Sequence, residues 1–138
     1  MNIRIERYGS EHADAWASVL RNAKNGIFQF ERAYMEYHAD RFTDLSLLAF
    51  VDDQPVAILP AAIDAQGVVT SHPGLTFGGV VLDARIRSGV AFEVFDAMFG
   101  VLRECGGDGD NAGRRGGCEQ RSPHELIRLH ILRPFVFV

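Results

Sequence analysis

Apolar residues in the first third of the chain change their spacing from one segment to the next. Residues 3–7 begin by alternating apolar and polar side chains, which predicts a short strand. The next apolar residues recur at the three- and four-residue spacing of one helix face. They are Trp16, Val19, Leu20 and Ala23. The Asn25-Gly26 pair predicts the end of this helix, and a second apolar stripe predicts another helix over residues 31–41.

The middle of the chain carries four apolar runs that are separated by short turns. The runs cover residues 45–51, 55–63, 68–72 and 75–82. Acidic or glycine-containing turns between neighbouring runs are typical of strands joined by tight hairpins, so the sequence predicts an antiparallel meander. Residues 85–104 return to helical spacing, and they form the longest helix that the sequence predicts.

Residues 71–82 hold the most informative feature of the meander. Three glycines, Gly74, Gly78 and Gly79, interrupt an otherwise apolar stretch. Glycine weakens the interior of a strand and usually marks a bulge or a close approach to the backbone. A helix is predicted directly afterwards, and helix N-termini attract anions. The segment therefore predicts a binding site for an extended, phosphate-bearing ligand.

Composition and charge limit the class of protein. The chain has 138 residues and a hydrophobic content of 47%, which is enough for one domain with a sizeable core. Its formal net charge of −4 lacks the basic footprint of a nucleic-acid-binding protein. No apolar window is long enough to span a membrane, and the charged N-terminus lacks an export signal. We therefore expect a cytoplasmic protein, without a membrane partner, whose two cysteines are free thiols.

The C-terminal quarter of the chain differs in character from the rest. Residues 106–117 contain six of the 14 glycines, and such a segment buries too little apolar surface to offset the entropy of ordering it. We expect residues 106–138 to form a Gly/Arg-rich linker and an atypical, poorly ordered tail. Two explanations of the abrupt change after Cys105 remain open: a shift of the reading frame near this residue, which the other two frames of the coding DNA would test, and a natural variant ending.

Four sequence stretches are distinctive. They begin at Asn25, Tyr34, Pro55 and Ser71 and read NGIF, YMEYHADRFTDLSLL, PVAILPA and SHPGLTFGGVVL. Together they resemble a bacterial group of GNAT-type N-acyltransferases with a FemAB-like character. The resemblance covers residues 1–105, which we expect to form the N-terminal half of that fold. It implies an α+β, GNAT-like architecture with a central, mostly antiparallel sheet and flanking helices, in which the C-terminal part of the fold is missing or replaced.

The resemblance also implies a binding site for acetyl-CoA as a co-substrate. In GNAT-type proteins a splayed central strand pairs with the pantetheine arm of acyl-CoA, and the next helix N-terminus binds the diphosphate. In the matching turn Gly89 and Ala91 take the family's small positions, while Ile86 stands where the family has Gln or Arg. The implied cofactor-binding residues are Phe77, Gly78, Gly79, Val80, Val81, Arg85, Arg87, Ser88, Gly89, Val90 and Ala91.

His72 has the most suitable side chain for proton transfer. A neutral imidazole accepts a proton from an attacking amine near pH 7. We therefore predict His72 as the catalytic residue, and the alternative is a histidine that serves only the structure of a turn. The five histidines and two cysteines lack the spacing of metal ligands, so no metal is expected.

The resemblance implies that an acyl group is transferred directly from acyl-CoA to the amine of a small molecule or an amino sugar. Two alternatives remain open. One is a FemAB-like aminoacyl transferase that takes its group from aminoacyl-tRNA, which the acidic net charge disfavours. The other is a catalytically silent fragment that forms a homodimer, or binds a protein partner, through an unpaired sheet edge.

Overall fold

The computed structural model describes residues 1–37, 43–73 and 77–105. Within these ranges, seven strands and three helices are accompanied by two short 3-10 turns. In chain order the elements are β1 (Ile3–Arg7), a 3-10 turn (Ser10–His12), α1 (Ala13–Asn22), a 3-10 turn (Phe28–Phe30), α2 (Arg32–Glu36), β2 (Thr43–Asp44), β3 (Leu47–Val51), β4 (Gln54–Leu59), β5 (Ala62–Ile63), β6 (Val69–Thr70), β7 (Val81–Leu82) and α3 (Ser88–Cys105).

The main sheet has four strands in the order β1-β3-β4-β7, and every neighbouring pair is antiparallel. The β3–β4 hairpin turns at Asp52 and Asp53, whose φ angles of 47° and 65° suit a two-residue turn that follows the strand twist. Asp52 Oδ1 also accepts a hydrogen bond from Asn2 N at 2.8 Å, which fastens the turn to the start of the chain. The predicted α+β class with a mostly antiparallel sheet is therefore confirmed.

A second, smaller sheet has the order β2-β5-β6, and each of its strands has two residues. It forms because the predicted run over residues 55–63 is interrupted, with β4 ending at Leu59 and β5 beginning at Ala62. Pro60 has no backbone N–H and therefore cannot continue the ladder of strand hydrogen bonds. The structure thus corrects one predicted strand to two strands that belong to different sheets.

The main sheet is covered on both faces, because successive side chains of a strand point to opposite sides. One apolar cluster lies on the α3 side and includes Leu47, Ala49, Ala57, Leu59, Val94, Met98 and Leu102. The other lies on the α1 side and includes Trp16, Val19, Phe30, Leu48, Phe50, Ile58 and Val81. This double coverage explains why residues 45–51 are apolar at almost every position.

Two helices differ in extent from their predictions. The helix α2 covers Arg32–Glu36, whereas the sequence predicted residues 31–41, of which residues 38–41 lie outside the described part. The helix α3 begins later than the predicted residue 85. The reason is a turn that precedes it, in which Ile86 N donates to Asp83 O at 3.1 Å.

Several predictions concern the end of the described chain. Cys105, the last residue of α3, is disulfide-bonded, so the expectation of a free thiol is wrong at this position. Pairing depends on the distance and direction of two Cβ atoms, which sequence spacing does not reveal. The linker, the atypical tail and the proposed frame shift all concern residues 106–138 and lie outside the described residues.

Two general properties follow from the described ranges. No helix in them is long and apolar enough to cross a membrane. The same residues contain no group of three or more His, Cys, Asp or Glu side chains that could hold a metal ion.

Candidate functional site

The glycine-bearing segment leaves the main sheet at its N-terminal end. Only Val81–Leu82 pairs with β4, and residues 77–80 are not part of a strand. The sequence predicted a strand over residues 75–82. Residues 75–76 lie outside the described part, and of residues 77–82 only Val81–Leu82 forms a strand. Gly79 has a φ of 110°, a conformation that strains any residue with a Cβ. The segment therefore diverges from β4 at the glycine pair.

Ser71 holds the diverging segment through its hydroxyl group. Ser71 Oγ donates to Pro60 O and accepts from Gly79 N, and both distances are 2.7 Å. Gly78 also lies close to Ser71, because a Cβ built on Gly78 would be 2.6 Å from Ser71 O. The hydroxyl thus connects the end of β4 to the segment, and the close approach requires glycine at position 78.

His72 supports the same segment from inside the fold. Only 5% of the residue is exposed, and its ring meets the ring of Phe30 edge-on with centroids 5.1 Å apart. Nδ1 lies 3.1 Å from Phe77 O, and since a carbonyl oxygen only accepts hydrogen bonds, Nδ1 carries the proton. These contacts make His72 a positioning residue for residues 77–80. Its predicted role in proton transfer stays a prediction.

Burial lowers the pKa of His72 below the ordinary histidine value of about 6.5. Hydrogen bonds with the backbone of Phe77 and Gln29 raise it and offset part of the shift. Between its lowered folded pKa and the ordinary value of about 6.5, His72 is therefore protonated less in the folded chain than in the unfolded chain. The stabilisation from neutral His72 is complete above this pH and is lost as the pH falls toward the folded pKa.

We expect the free energy of unfolding, measured in urea, to decrease between about pH 7.5 and about pH 5.5. The His72→Asn variant should show a smaller decrease, because asparagine does not titrate. Asparagine also tolerates the left-handed backbone of this position, where φ is 52°. A decrease of the same size in the variant and the wild type would show that His72 is not the responsible group.

A bidentate ion pair shapes the turn between β7 and α3. Arg85 Nε and Nη2 donate to the Asp83 carboxylate at 2.9 and 2.7 Å, and Arg85 N donates to the same carboxylate at 2.9 Å. Hydrogen bonding from the Arg85 side chain lowers the pKa of Asp83, while burial acts in the opposite direction. Asp83 thus compensates the charge of Arg85, which leaves this predicted cofactor-binding residue with less attraction for a phosphate group.

The N-terminal turn of α3 is the open part of the predicted site. Arg87, Ser88 and Gly89 are exposed, and a Cβ built on Gly89 would meet no atom within 4 Å. The Arg87 side chain makes no hydrogen bond or ion pair with another described residue. The first N–H groups of a helix lack partners within the helix and lie at the positive end of its dipole. This turn therefore combines an accessible backbone with an uncommitted arginine.

The predicted cofactor-binding residues separate into supporting and exposed positions. Val80, Val81 and Ala91 are buried, and Val90 packs against the α3 cluster. The exposed positions are Phe77, Gly78, Arg85, Arg87, Ser88 and Gly89. The turn at Asp83 joins the two halves of the predicted site, because it connects the end of β7 to the start of α3.

Sequence reasoning missed a groove of about 500 Å³ between α1 and the segment that follows it. This volume is in the range of small-molecule sites. The groove is lined by Ala13, Trp16, Ala17, Leu20, Arg21, Gly26, Ile27, Phe28, Glu31 and Arg32. The helical stripe that contains Trp16 was its only signal in the sequence, and the same stripe is typical of an ordinary core helix. Among the described residues, the Arg21 and Glu31 side chains have no ion-pair partner.

Arg32 is committed to the structure although it lines this groove. Its Nη2 donates to Asp44 Oδ2 at 2.8 Å and its Nη1 donates to Ser46 Oγ at 3.2 Å. The guanidinium carbon lies 3.8 Å from the centroid of the Tyr8 ring. Arg32 Nε is buried without a hydrogen bond, with Glu36 Oε1 at 3.5 Å. The side chain therefore joins α2 to β2, and we do not assign it to a ligand.

The scan against models of known protein families finds no match for this chain, and the search of curated proteins finds no similar protein. Asn25 adds a feature that sequence reasoning missed, since the sequence marked it as a helix end and as the start of a resembling stretch but not as a residue near the predicted site. Its Nδ2 donates to Val80 O at 3.0 Å and so links the loop after α1 to the predicted site.

Proposed function

We propose that residues 1–105 form the GNAT-like part of an acyl-CoA-dependent N-acyltransferase, in the simplest case an N-acetyltransferase. The observation that carries this proposal is the path of residues 77–89. Residues 77–80 lie outside the sheet, β7 pairs with β4, and the turn at Asp83 leads into an exposed helix N-terminus. A diverging strand suits an extended ligand, and a helix N-terminus favours the negative charge of a diphosphate. The resemblance to GNAT-type proteins supplies the identity of the ligand.

The proposed reaction is a direct transfer. The amine nitrogen of the acceptor attacks the thioester carbonyl carbon, a C–N bond forms and the C–S bond breaks. The sulfur leaves as the thiolate of CoA, and the amine gives its proton to a base or a water chain. We assign the polarisation of the carbonyl oxygen to a backbone N–H of residues 77–81, since a preorganised donor stabilises the charge that develops there.

For the acceptor we propose the groove beside α1. It adjoins the predicted acyl-CoA site through the loop after α1, in which Gly26 lines the groove and the preceding Asn25 contacts Val80. Its apolar wall suits the body of a small organic amine, and the uncommitted carboxylate of Glu31 suits the cationic form of the amine. Small-molecule amines are therefore the acceptor class that this groove favours.

Gly89→Ala tests the proposed position of the diphosphate. We expect the variant to fold like the wild type, because no atom lies within 4 Å of the added Cβ. The same Cβ would keep the diphosphate from the backbone of α3, which costs at least one charge-assisted hydrogen bond of roughly 1.5–3 kcal/mol. Calorimetry with acetyl-CoA should therefore show micromolar binding by the wild type and about 10- to 100-fold weaker binding by the variant.

Gly100→Ala is the matched control for this experiment. Gly100 lies in the same helix and also has no atom within 4 Å of an added Cβ, but it is far along the helix from the N-terminal turn. It should leave acetyl-CoA binding unchanged. Absence of wild-type binding at millimolar acetyl-CoA would overturn the proposed function. Equal affinities of wild type and Gly89→Ala would place the diphosphate elsewhere.

A further inference from the structure

The outer edge of β7 is covered by the last residue of α1 and the residues that follow it. The backbone groups of Val81 point toward β4, and Asp83 N donates to Val56 O at 2.9 Å. Because the backbone groups of successive strand residues point to opposite sides, those of Leu82 point away from β4. On that outer side Ala84 N donates to Asn22 O at 3.1 Å, and Ala23 forms a bridge with Asp83. One alternative drawn from the sequence was self-association through an unpaired sheet edge, and the structure fills this part of the edge from within the chain.

Asn25 covers the next part of the edge with its side chain. Nδ2 donates to Val80 O at 3.0 Å, and Oδ1 accepts from Leu82 N at 3.4 Å. Val80 O is a hydrogen-bond acceptor and Leu82 N is a donor, and both point outward from β7. A neighbouring strand would bind these two groups through its own backbone amide. The carboxamide of Asn25 therefore imitates an amide group of an extended chain.

We propose that Asn25 is a built-in competitor at the β7 edge, and that the amide-bearing arm of acyl-CoA must displace its carboxamide in order to bind. This inference rests on the proposed function, because that function supplies the amide-bearing ligand. The Asn25 carboxamide and the amide of the acyl-CoA arm cannot bind there at the same time, because both would occupy the same outward side of Val80 O and Leu82 N. Binding then involves exchange of one amide for another at the same backbone groups.

The surroundings of Asn25 allow this exchange without a movement of the backbone. The residue is exposed, so its side chain has room to rotate into solvent. The loop itself is fixed on both sides. Ala23 is bridged to Asp83, and a Cβ on Gly26 would lie 2.7 Å from Leu20 O, which shows how tightly Gly26 packs. A change of the Asn25 rotamer would therefore free Val80 O and Leu82 N, while the edge at Asp83 and Ala84 stays covered by backbone.

The test measures the affinity of Asn25→Ala for two probes, acetyl-CoA and S-acetylpantetheine, by calorimetry. The variant lacks the competing carboxamide, so we expect it to bind both probes about two- to tenfold more tightly than the wild type. Asn22→Ala is the matched control. It removes a nearby exposed carboxamide that bonds only to Ser18 O within α1, and it should bind both probes like the wild type.

Two further variants separate the possible results. Asn25→Asp removes the donor to Val80 O but keeps an acceptor, now charged, for Leu82 N, so it should bind both probes less tightly than Asn25→Ala. Gly89→Ala should weaken only acetyl-CoA, because S-acetylpantetheine has no diphosphate. If the wild type binds and Asn25→Ala binds equally or more weakly, the inference is overturned and the proposed function stands. If no variant binds either probe, the proposed function and the inference fail together.

Discussion

Trp16→Ala is expected to lower the free energy of unfolding by about 3–5 kcal/mol. Trp16 is 1% exposed and lies in the α1 cluster between the helix and the main sheet. Its indole Nε1 donates to Phe30 O at 2.8 Å, and its ring meets Tyr8 edge-on with centroids 5.4 Å apart. Alanine would leave a cavity and an unsatisfied carbonyl group. A typical domain has about 5–15 kcal/mol of stability, so this loss leaves little margin.

The measurement is urea unfolding followed by circular dichroism, because Trp16 is the single tryptophan and its replacement removes the fluorescence signal. Phe92→Ala is the control, since Phe92 is 70% exposed on α3 and its loss should change stability by no more than about 0.5 kcal/mol. Trp16→Phe should lie between the two variants, because it keeps an aromatic ring and loses the donor to Phe30 O. Equal losses for Trp16→Ala and Phe92→Ala would contradict the assigned core.

Gly78→Ala should be the second most damaging of these changes, with a loss of about 1–3 kcal/mol. The added Cβ would lie 2.6 Å from Ser71 O and 3.0 Å from Ser71 Oγ. Ser71 O is a backbone atom, so it cannot move without a shift of the chain. Ser71 Oγ already holds Pro60 O and Gly79 N, so a shift at Ser71 also weakens these two hydrogen bonds. The diverging segment would then lose its main attachment.

Gly100→Ala gives the opposite expectation for the same chemical change. Gly100 lies inside α3 with open space around it, and alanine in a helix interior is about 1 kcal/mol more favourable than glycine. Thermal unfolding of both variants should therefore move the melting temperature in opposite directions. If Gly78→Ala is as stable as Gly100→Ala, the close approach to Ser71 is not a constraint on the fold.

Elements with a regular spacing of apolar residues were predictable from the sequence. A helix that buries one face, such as α1, repeats its apolar residues at helical spacing, and a strand buried on both faces, such as β3, is apolar throughout. In the α1 stripe Trp16 and Val19 are buried and Leu20 is half-buried, and every residue of β3 except Val51 is buried. The Asp52-Asp53 turn was also predictable, because aspartate tolerates the left-handed backbone of a tight hairpin. Local chemistry is sufficient for these elements.

The predicted site could be read from the sequence only in outline. Glycines at positions 78, 79 and 89 marked a place where the backbone is approached closely or left open. The sequence did not reveal that Ser71 and His72 hold this segment, or that Asp83 compensates Arg85. These contacts involve specific side-chain atoms that meet only when the chain is folded, and spacing does not encode their directions.

By itself, the amino-acid sequence determined the α+β class, the antiparallel hairpin and the helix that follows the glycine segment. These features depend on periodicity and turn chemistry, which are local properties of the chain. The tertiary structure alone decided that residues 77–80 leave the sheet, that His72 is buried and that Asn25 occupies the edge of β7. Asn25 and Val80 are far apart in sequence, so their contact depends on how α1 and the sheet pack together. Packing between distant elements therefore decides which backbone groups remain available to a ligand.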